Sequence, residues 1–163
     1  MSIIRSAIVQ LAFLSIGLVL TVAAVIAQTT HVLVPADKVQ WAPAPPFLPA
    51  GAQISVLEGN PSEKGAVTLR LKFPANYTIP PHWHSMSERV TVLSGALSVG
   101  MGDKVNRQAS QILEPGGFVS LPANMHHYAW TDASTVVQIN LEGPFDIFYV
   151  NAGEDPQKRQ TTR

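Results

Sequence analysis

The sequence predicts an all-β domain, a sandwich or barrel of short strands, and three observations predict it. Six short runs with alternating or β-branched character succeed one another after Ala52, turn signals separate them, and no stretch shows a capped helical period. The runs are AQISVLE, AVTLRLKF, RVTVLSG, ALSVGM, FVSL and VVQINL; the punctuation is EGNPSEKG, GMGDK, EPGG and EGP. Many short strands at close spacing must cover one another's apolar faces, which is what sandwiches and barrels do. A chain of 163 residues, 46% of them hydrophobic, buries one sizeable core, and without an internal repeat that core belongs to one barrel.

Ahead of the strands, Arg5 precedes a nearly unbroken apolar run, AIVQLAFLSIGLVLTVAAVIA. Val25 and Ala27 supply the small residues that signal peptidase accepts at −3 and −1, so residues 1–27 are expected to be a signal peptide cleaved before Gln28. The alternative is an uncleaved N-terminal membrane anchor, since an apolar run of about 20 residues can span a bilayer. Either way the folded domain is expected outside the cytoplasm, periplasmic or secreted. Residues 28–50 hold Pro35, Pro43, Pro45, Pro46 and Pro49, which exclude a helix and favour an extended arm along the domain. The barrel is expected over 51–153, and the polar segment 154–163, EDPQKRQTTR, as a frayed tail.

Composition removes several functions. The net charge is zero with 13% charged residues, so there is no basic footprint for nucleic acid and no acidic tail for a cationic partner. Cysteine is absent, which excludes disulfides, thiolate metal sites, a cysteine nucleophile and a lipidated N-terminal cysteine. Any metal must therefore be held by nitrogen and oxygen, and four of the five histidines stand in two close pairs.

The first pair lies in PPHWHSMSERVTVLSG. Residues two apart in a strand share a face, so His82 and His84 project together while Trp83 faces away, and two imidazoles reach one ion. Glu88 shares their parity, and Val90 and Val92 follow it inward if one strand continues. Pro80 and Pro81 stiffen the approach, and Gly95 closes the segment with a turn. A histidine pair alone is weak evidence of metal, because hydrogen-bonded or rim histidines are as common in such barrels. The second pair lies in LEPGGFVSLPANMHHYAW, where a strand and a turn over 122–124 lead to His126 and His127 at the start of another strand.

These two segments resemble, in order and spacing, the two motifs of the cupin superfamily, and the chain is similar to small single-domain bacterial cupins from about Trp41 to Asn151. His82, His84 and Glu88 fall on the first motif's histidine, histidine and glutamate positions, with Gly95 at its closing glycine. Gly116 and Pro122 open the second motif, and His127 falls on its ligand histidine. The phrases WAPAPPFLPAGAQISVLEGNP and FDIFYVNAGEDP share the resemblance. It implies a double-stranded β-helix, or jelly-roll, barrel with one divalent metal on His82, His84, Glu88 and His127. His126, where many cupins have proline, is left a rim or supporting role. Asn76 and Asn124 depart from the pattern by replacing motif glycines, but asparagine is the non-glycine residue that best accepts left-handed backbone. Thr131 stands in place of the second motif's terminal asparagine.

Three neutral imidazoles and a carboxylate suit iron(II), manganese, nickel, copper or zinc, and ligand type does not choose among them. An octahedral ion on four protein donors keeps two positions for a substrate, with dioxygen or water beside it; a tetrahedral zinc ion would be closed and structural. The resemblance thus implies a metal-dependent oxidoreductase, dioxygenase-like, acting on a small organic substrate. The alternative is a non-catalytic cupin that binds or senses a small ligand or metal. No residue is assigned as catalytic beyond the ligands, no organic cofactor is expected, and pairing of edge strands into a homodimer is compatible with the resemblance. Other features read as structure: Arg70 and Lys72 as a solvated strand face, Asp103 as a turn residue, the tryptophans and tyrosines as packing rather than cavity lining. His31 lies in the arm, away from any ligand pattern.

Overall fold

The computed structural model describes residues 31–160, so the expected signal peptide and its expected cleavage after Ala27 lie outside the described residues. The chain divides into two units, 1–31 and 32–163, and the fold is that of the second. It is all-β. The strands are β1 (Ala42–Pro43), β2 (Gln53–Glu58), β3 (Gly65–Phe73), β4 (Tyr77–Trp83), β5 (Glu88–Ser94), β6 (Leu97–Met101), β7 (Gln111–Leu113), β8 (Phe118–Leu121), β9 (His127–Thr131), β10 (Thr135–Gly143) and β11 (Phe148–Tyr149). They form a six-stranded sheet in the order β1-β2-β3-β10-β5-β8 and a five-stranded sheet in the order β11-β4-β9-β6-β7.

The longest ladder joins β3 to β10 antiparallel, from Thr135 opposite Phe73 to Gly143 opposite Gly65. Its alternation explains the core. Val67, Leu69, Leu71 and Phe73 of β3 and Val137, Ile139 and Leu141 of β10 are buried, while Arg70 is half-buried on the outer face, where its Nε donates to Gln138 Oε1 at 3.1 Å, and Lys72 is exposed. On β5, Glu88, Val90 and Val92 turn inward, and Leu141 and Ile139 of β10 stand opposite Glu88 and Val90. The glutamate therefore enters an apolar row, at a position where an aliphatic side chain would otherwise contribute about 1.5–3 kcal/mol of burial.

Backbone chirality confirms the reading of the motif asparagines. Asn76 and Asn124 have φ of 56° and 62°, the left-handed region that costs most residues roughly 1–2 kcal/mol. At Gly95, with φ of 75°, a Cβ would come within 2.5 Å of Ser134 O and Thr135 Oγ1, so the tight turn from β5 to β6 requires glycine.

Two expectations are corrected. A single strand does not run from His82 through Val92: the chain leaves the five-stranded sheet after Trp83, bends through residues 84–87, and enters the six-stranded sheet at Glu88. The bend is held because Ser85 donates its backbone N–H at 2.8 Å, and its hydroxyl, to the Asp146 carboxylate. Within the segment read as a frayed tail, Pro156–Gln160 is helical. Pro156 takes the first helical position, where no N–H is needed, and the Asp155 carboxylate accepts from Gln157 N at 3.0 Å.

Candidate metal centre

Four side chains meet where the two sheets face each other. His82 lies on β4 and His127 at the start of β9, directly opposite in the ladder. His84 follows the end of β4, and Glu88 reaches in from the first position of β5 in the other sheet. The β4–β9 ladder shifts register between Ile79 and His82. Prolines 80 and 81 sit in that interval and have no N–H to donate to the ladder. Pro80 O accepts from His82, and Pro81 O accepts from Val150 N at 2.9 Å.

All three rings are tied to the main chain through Nδ1. His82 Nδ1 lies 2.7 Å from Pro80 O, His84 Nδ1 2.5 Å from Asp146 O, and His127 Nδ1 2.9 Å from Met125 O. A carbonyl only accepts, so each Nδ1 carries the proton and each neutral ring presents a lone pair at Nε2. This is the tautomer a metal ligand needs, with its other nitrogen donating to a carbonyl. The three histidines are buried, and one nitrogen from each lies within 4.8 Å of the others.

The donor set also fits an ion on the evidence of an unsatisfied atom. Among the described residues, His84 Nε2 is buried with no hydrogen-bond partner, an arrangement that costs about 1–3 kcal/mol unless something accepts its lone pair. Glu88 Oε2 lies 3.6 Å from it and 3.8 Å from His127 Nε2. These separations are too long for hydrogen bonds and within twice the roughly 2.1 Å at which nitrogen and oxygen donors meet a divalent ion. Burial depresses all three histidines below their ordinary value; His82, crowded also by His127 and His84, falls well below it. Burial pushes Glu88 up to about 6, against the opposing effect of His127. Near neutral pH the set is therefore three neutral nitrogens and a carboxylate.

The remaining histidines stay apart. His126 is more than a third exposed, its Nδ1 2.5 Å from Asp103 Oδ1, and it stacks on Trp83, whose other ring partner is Phe148. Asp103, read as a turn residue, is thus a hydrogen-bond partner of His126 as well. His31 is exposed. Sequence reasoning passed over Asp146, whose main-chain carbonyl orients His84 from 62 positions away in the chain and whose carboxylate holds the bend before Glu88. It stands in the quoted phrase FDIFYV, but a contact of that separation leaves no spacing to read.

Beside the ring of ligands is a cavity of about 40 Å³. Apart from the four ligands, its walls are aliphatic or phenylalanine, with Leu48, Phe145 and Ile147 among them. The described tryptophans and tyrosines do not line it; Trp130 instead packs under the Arg107 guanidinium, 4.8 Å from the ring centroid. The volume is room for about three water-sized molecules.

A family profile described as the ChrR cupin-like domain matches residues 29–145. Among solved structures, the polyketide cyclase RemF of Streptomyces resistomycificus superposes with a TM-score of 0.66 at 17% identity, covering 82% of this chain and 94% of that one. A candidate acetylacetone dioxygenase of Methylibium petroleiphilum superposes with a TM-score of 0.62 at 20% identity, over 80% and 88% of the two chains. At these identities the likeness is one of fold. The germin-like protein subfamily 1 member 1 of Arabidopsis thaliana is 36% identical over 67 residues, 40% of this chain. The match spans under a third of the length of such curated relatives.

The buried, depressed histidines make a prediction for the metal-free protein. Below their ordinary 6.5 the unfolded chain takes up protons that the folded rings refuse, so stability falls as pH drops from about 6.5 toward the lowered folded values. Glu88 acts oppositely between about 6 and its ordinary 4.5, where the folded state holds the extra proton, and offsets part of the loss. Urea midpoints of chelator-treated protein should fall between about pH 7 and 5, and fall more steeply in Glu88→Gln; midpoints that rise on acidification would contradict the assignment.

Proposed function

Because this chain belongs to the family of ChrR cupin-like domains, we propose that it is a metal-dependent oxidoreductase, dioxygenase-like, in which His82, His84, Glu88 and His127 hold one divalent transition metal beside a small organic substrate. The observation that carries the reading is the convergence of three buried, Nδ1-tethered imidazoles on one point, with His84 Nε2 otherwise unpartnered. When bound, the ion supplies Lewis-acid and redox chemistry. The chain's own residues do the rest. The three tethered rings keep the donor geometry without reorganisation, and the apolar walls exclude bulk water. Glu88 is the one carboxylate in the ring and the group there that could take a proton from a substrate. Iron, manganese, nickel and copper suit three nitrogens and an oxygen and can supply the redox chemistry, whereas zinc suits the same donors but is redox-inert.

Removing ligands tests this. Replacing His82, His84 or His127 with alanine should weaken metal binding by more than the roughly 10–100-fold that loss of an outer partner costs. Glu88→Gln should keep some metal, because an amide oxygen still coordinates weakly, yet abolish metal-dependent oxygen uptake. His126→Ala should spare the metal. Metal content after gel filtration, with thermal melts as the folding control, reads all five. Full occupancy throughout would remove the metal site, and loss in His126→Ala with retention in His127→Ala would move it by one residue. Full metal with no oxygen uptake under any of these ions would leave a binding protein instead of an enzyme.

We also propose that residues 1–27 are a signal peptide and that the mature protein, from Gln28, works in the periplasm or outside the cell. Arg5, the apolar run and the Val25/Ala27 pattern support it. Intact-mass analysis of protein from the envelope or medium should give a chain beginning at Gln28; a mass retaining Arg5 and the run would make it an anchor.

A further inference from the structure

We propose, on the premise of the metal centre above, that the site selects an organic ligand with at most one negative charge, carried by the group that meets the metal, on an uncharged hydrocarbon body, and that it rejects dianions. Charge balance is the first argument. Each ligating histidine has its proton on Nδ1, held by a carbonyl, so the three rings are neutral when Nε2 coordinates. A divalent ion and the Glu88 carboxylate then sum to one positive charge, which a single monoanionic donor neutralises. A second negative charge would remain uncompensated.

The walls give the second argument. Among the described residues, no lysine or arginine lines the cavity, and every lining residue besides the four ligands is aliphatic or phenylalanine. The arginines near in sequence are engaged or turned away. Arg70 bonds Gln138 on the outer face, Arg89 is exposed with parity opposite to Glu88, and Arg107 lies over Trp130. A carboxylate beyond the metal would be buried in hydrocarbon with no charged or hydrogen-bonding side chain to meet it, which proteins avoid. A methyl or short alkyl group would meet Leu48, Phe145 and Ile147 instead. The volume of about 40 Å³ seats a few heavy atoms of that body.

Two small bidentate probes of similar size separate the possibilities. Oxalate is a dianion, and acetohydroxamate coordinates as a monoanion with a methyl body. The purified protein is loaded with cobalt(II), and each probe is titrated by visible absorption. Acetohydroxamate should bind at least about tenfold more tightly than oxalate, a difference of ~1.4 kcal/mol. Ile147→Arg places a cation at a half-buried lining position that is not itself a ligand, and should improve oxalate binding by about tenfold or more at unchanged cobalt stoichiometry. Oxalate binding as tightly as acetohydroxamate to the cobalt-loaded protein would overturn the charge rule while leaving the metal centre standing. Failure to take up one equivalent of cobalt would overturn both. An Ile147→Arg protein that folds, holds cobalt and gains nothing for oxalate would also overturn the rule.

Discussion

Three main-chain carbonyls, those of Pro80, Met125 and Asp146, determine what the interior of this barrel can do. Each accepts the Nδ1 proton of one histidine. A free imidazole chooses between two tautomers and turns about its Cβ bond; these three do neither. The consequence is a set of Nε2 lone pairs brought together in a buried core, where an unpaired polar atom costs far more than at the surface. His82 and His127 share one device, a bond to the carbonyl two residues earlier, and they stand opposite each other in the β4–β9 ladder. His84 depends on a distant loop. Its partner Asp146 also holds Ser85, so the segment after β10 positions the bend from which both His84 and Glu88 depart.

Pairing the two sheets across this point explains why a glutamate is tolerated in an apolar row. Glu88 follows the inward alternation of β5, with Leu141 opposite, and burial raises its pKa because the interior offers the charge little solvation. Held against His84 and His127, the carboxylate turns three neutral nitrogens into a site with one negative charge, suited to a divalent cation. Among the described residues, none of the cavity's lining residues besides Glu88 and the three histidines is titratable.

Much of this was legible in the residues, for identifiable reasons. β2, β3, β5, β6, β8 and β10 show alternation or β-branching and were read within a residue or two, whereas β4, whose pattern Pro80 and Pro81 interrupt, was recognised only as the extended stretch carrying His82 and His84, and β9 only by its start. β1, β7 and β11, of two or three residues, are too short to display a period. Asn76 and Asn124 announced left-handed turns because few other residues accept that backbone. His82 and His84 do share a face, as strand parity requires, with Trp83 turned outward. Glu88 faces the same interior, but by a different route from the one parity suggested: the chain changes sheet between His84 and Glu88. The helical turn at Pro156 was hidden in a polar tail, although Asp155 followed by proline is a helix-start signal. Asp146 was invisible because its partners lie some sixty residues away in sequence, a contact made by the fold alone.

The claim on which all of this rests is the tautomer of the three buried rings, and long-range proton–nitrogen correlation NMR of the imidazoles in metal-free protein at neutral pH reads it directly. The account predicts that His82, His84 and His127 carry their proton on Nδ1, and that one equivalent of zinc shifts the Nε2 resonances of these three while leaving His126 unmoved. Nε2-protonated rings at these positions, or a spectrum indifferent to zinc, would contradict it.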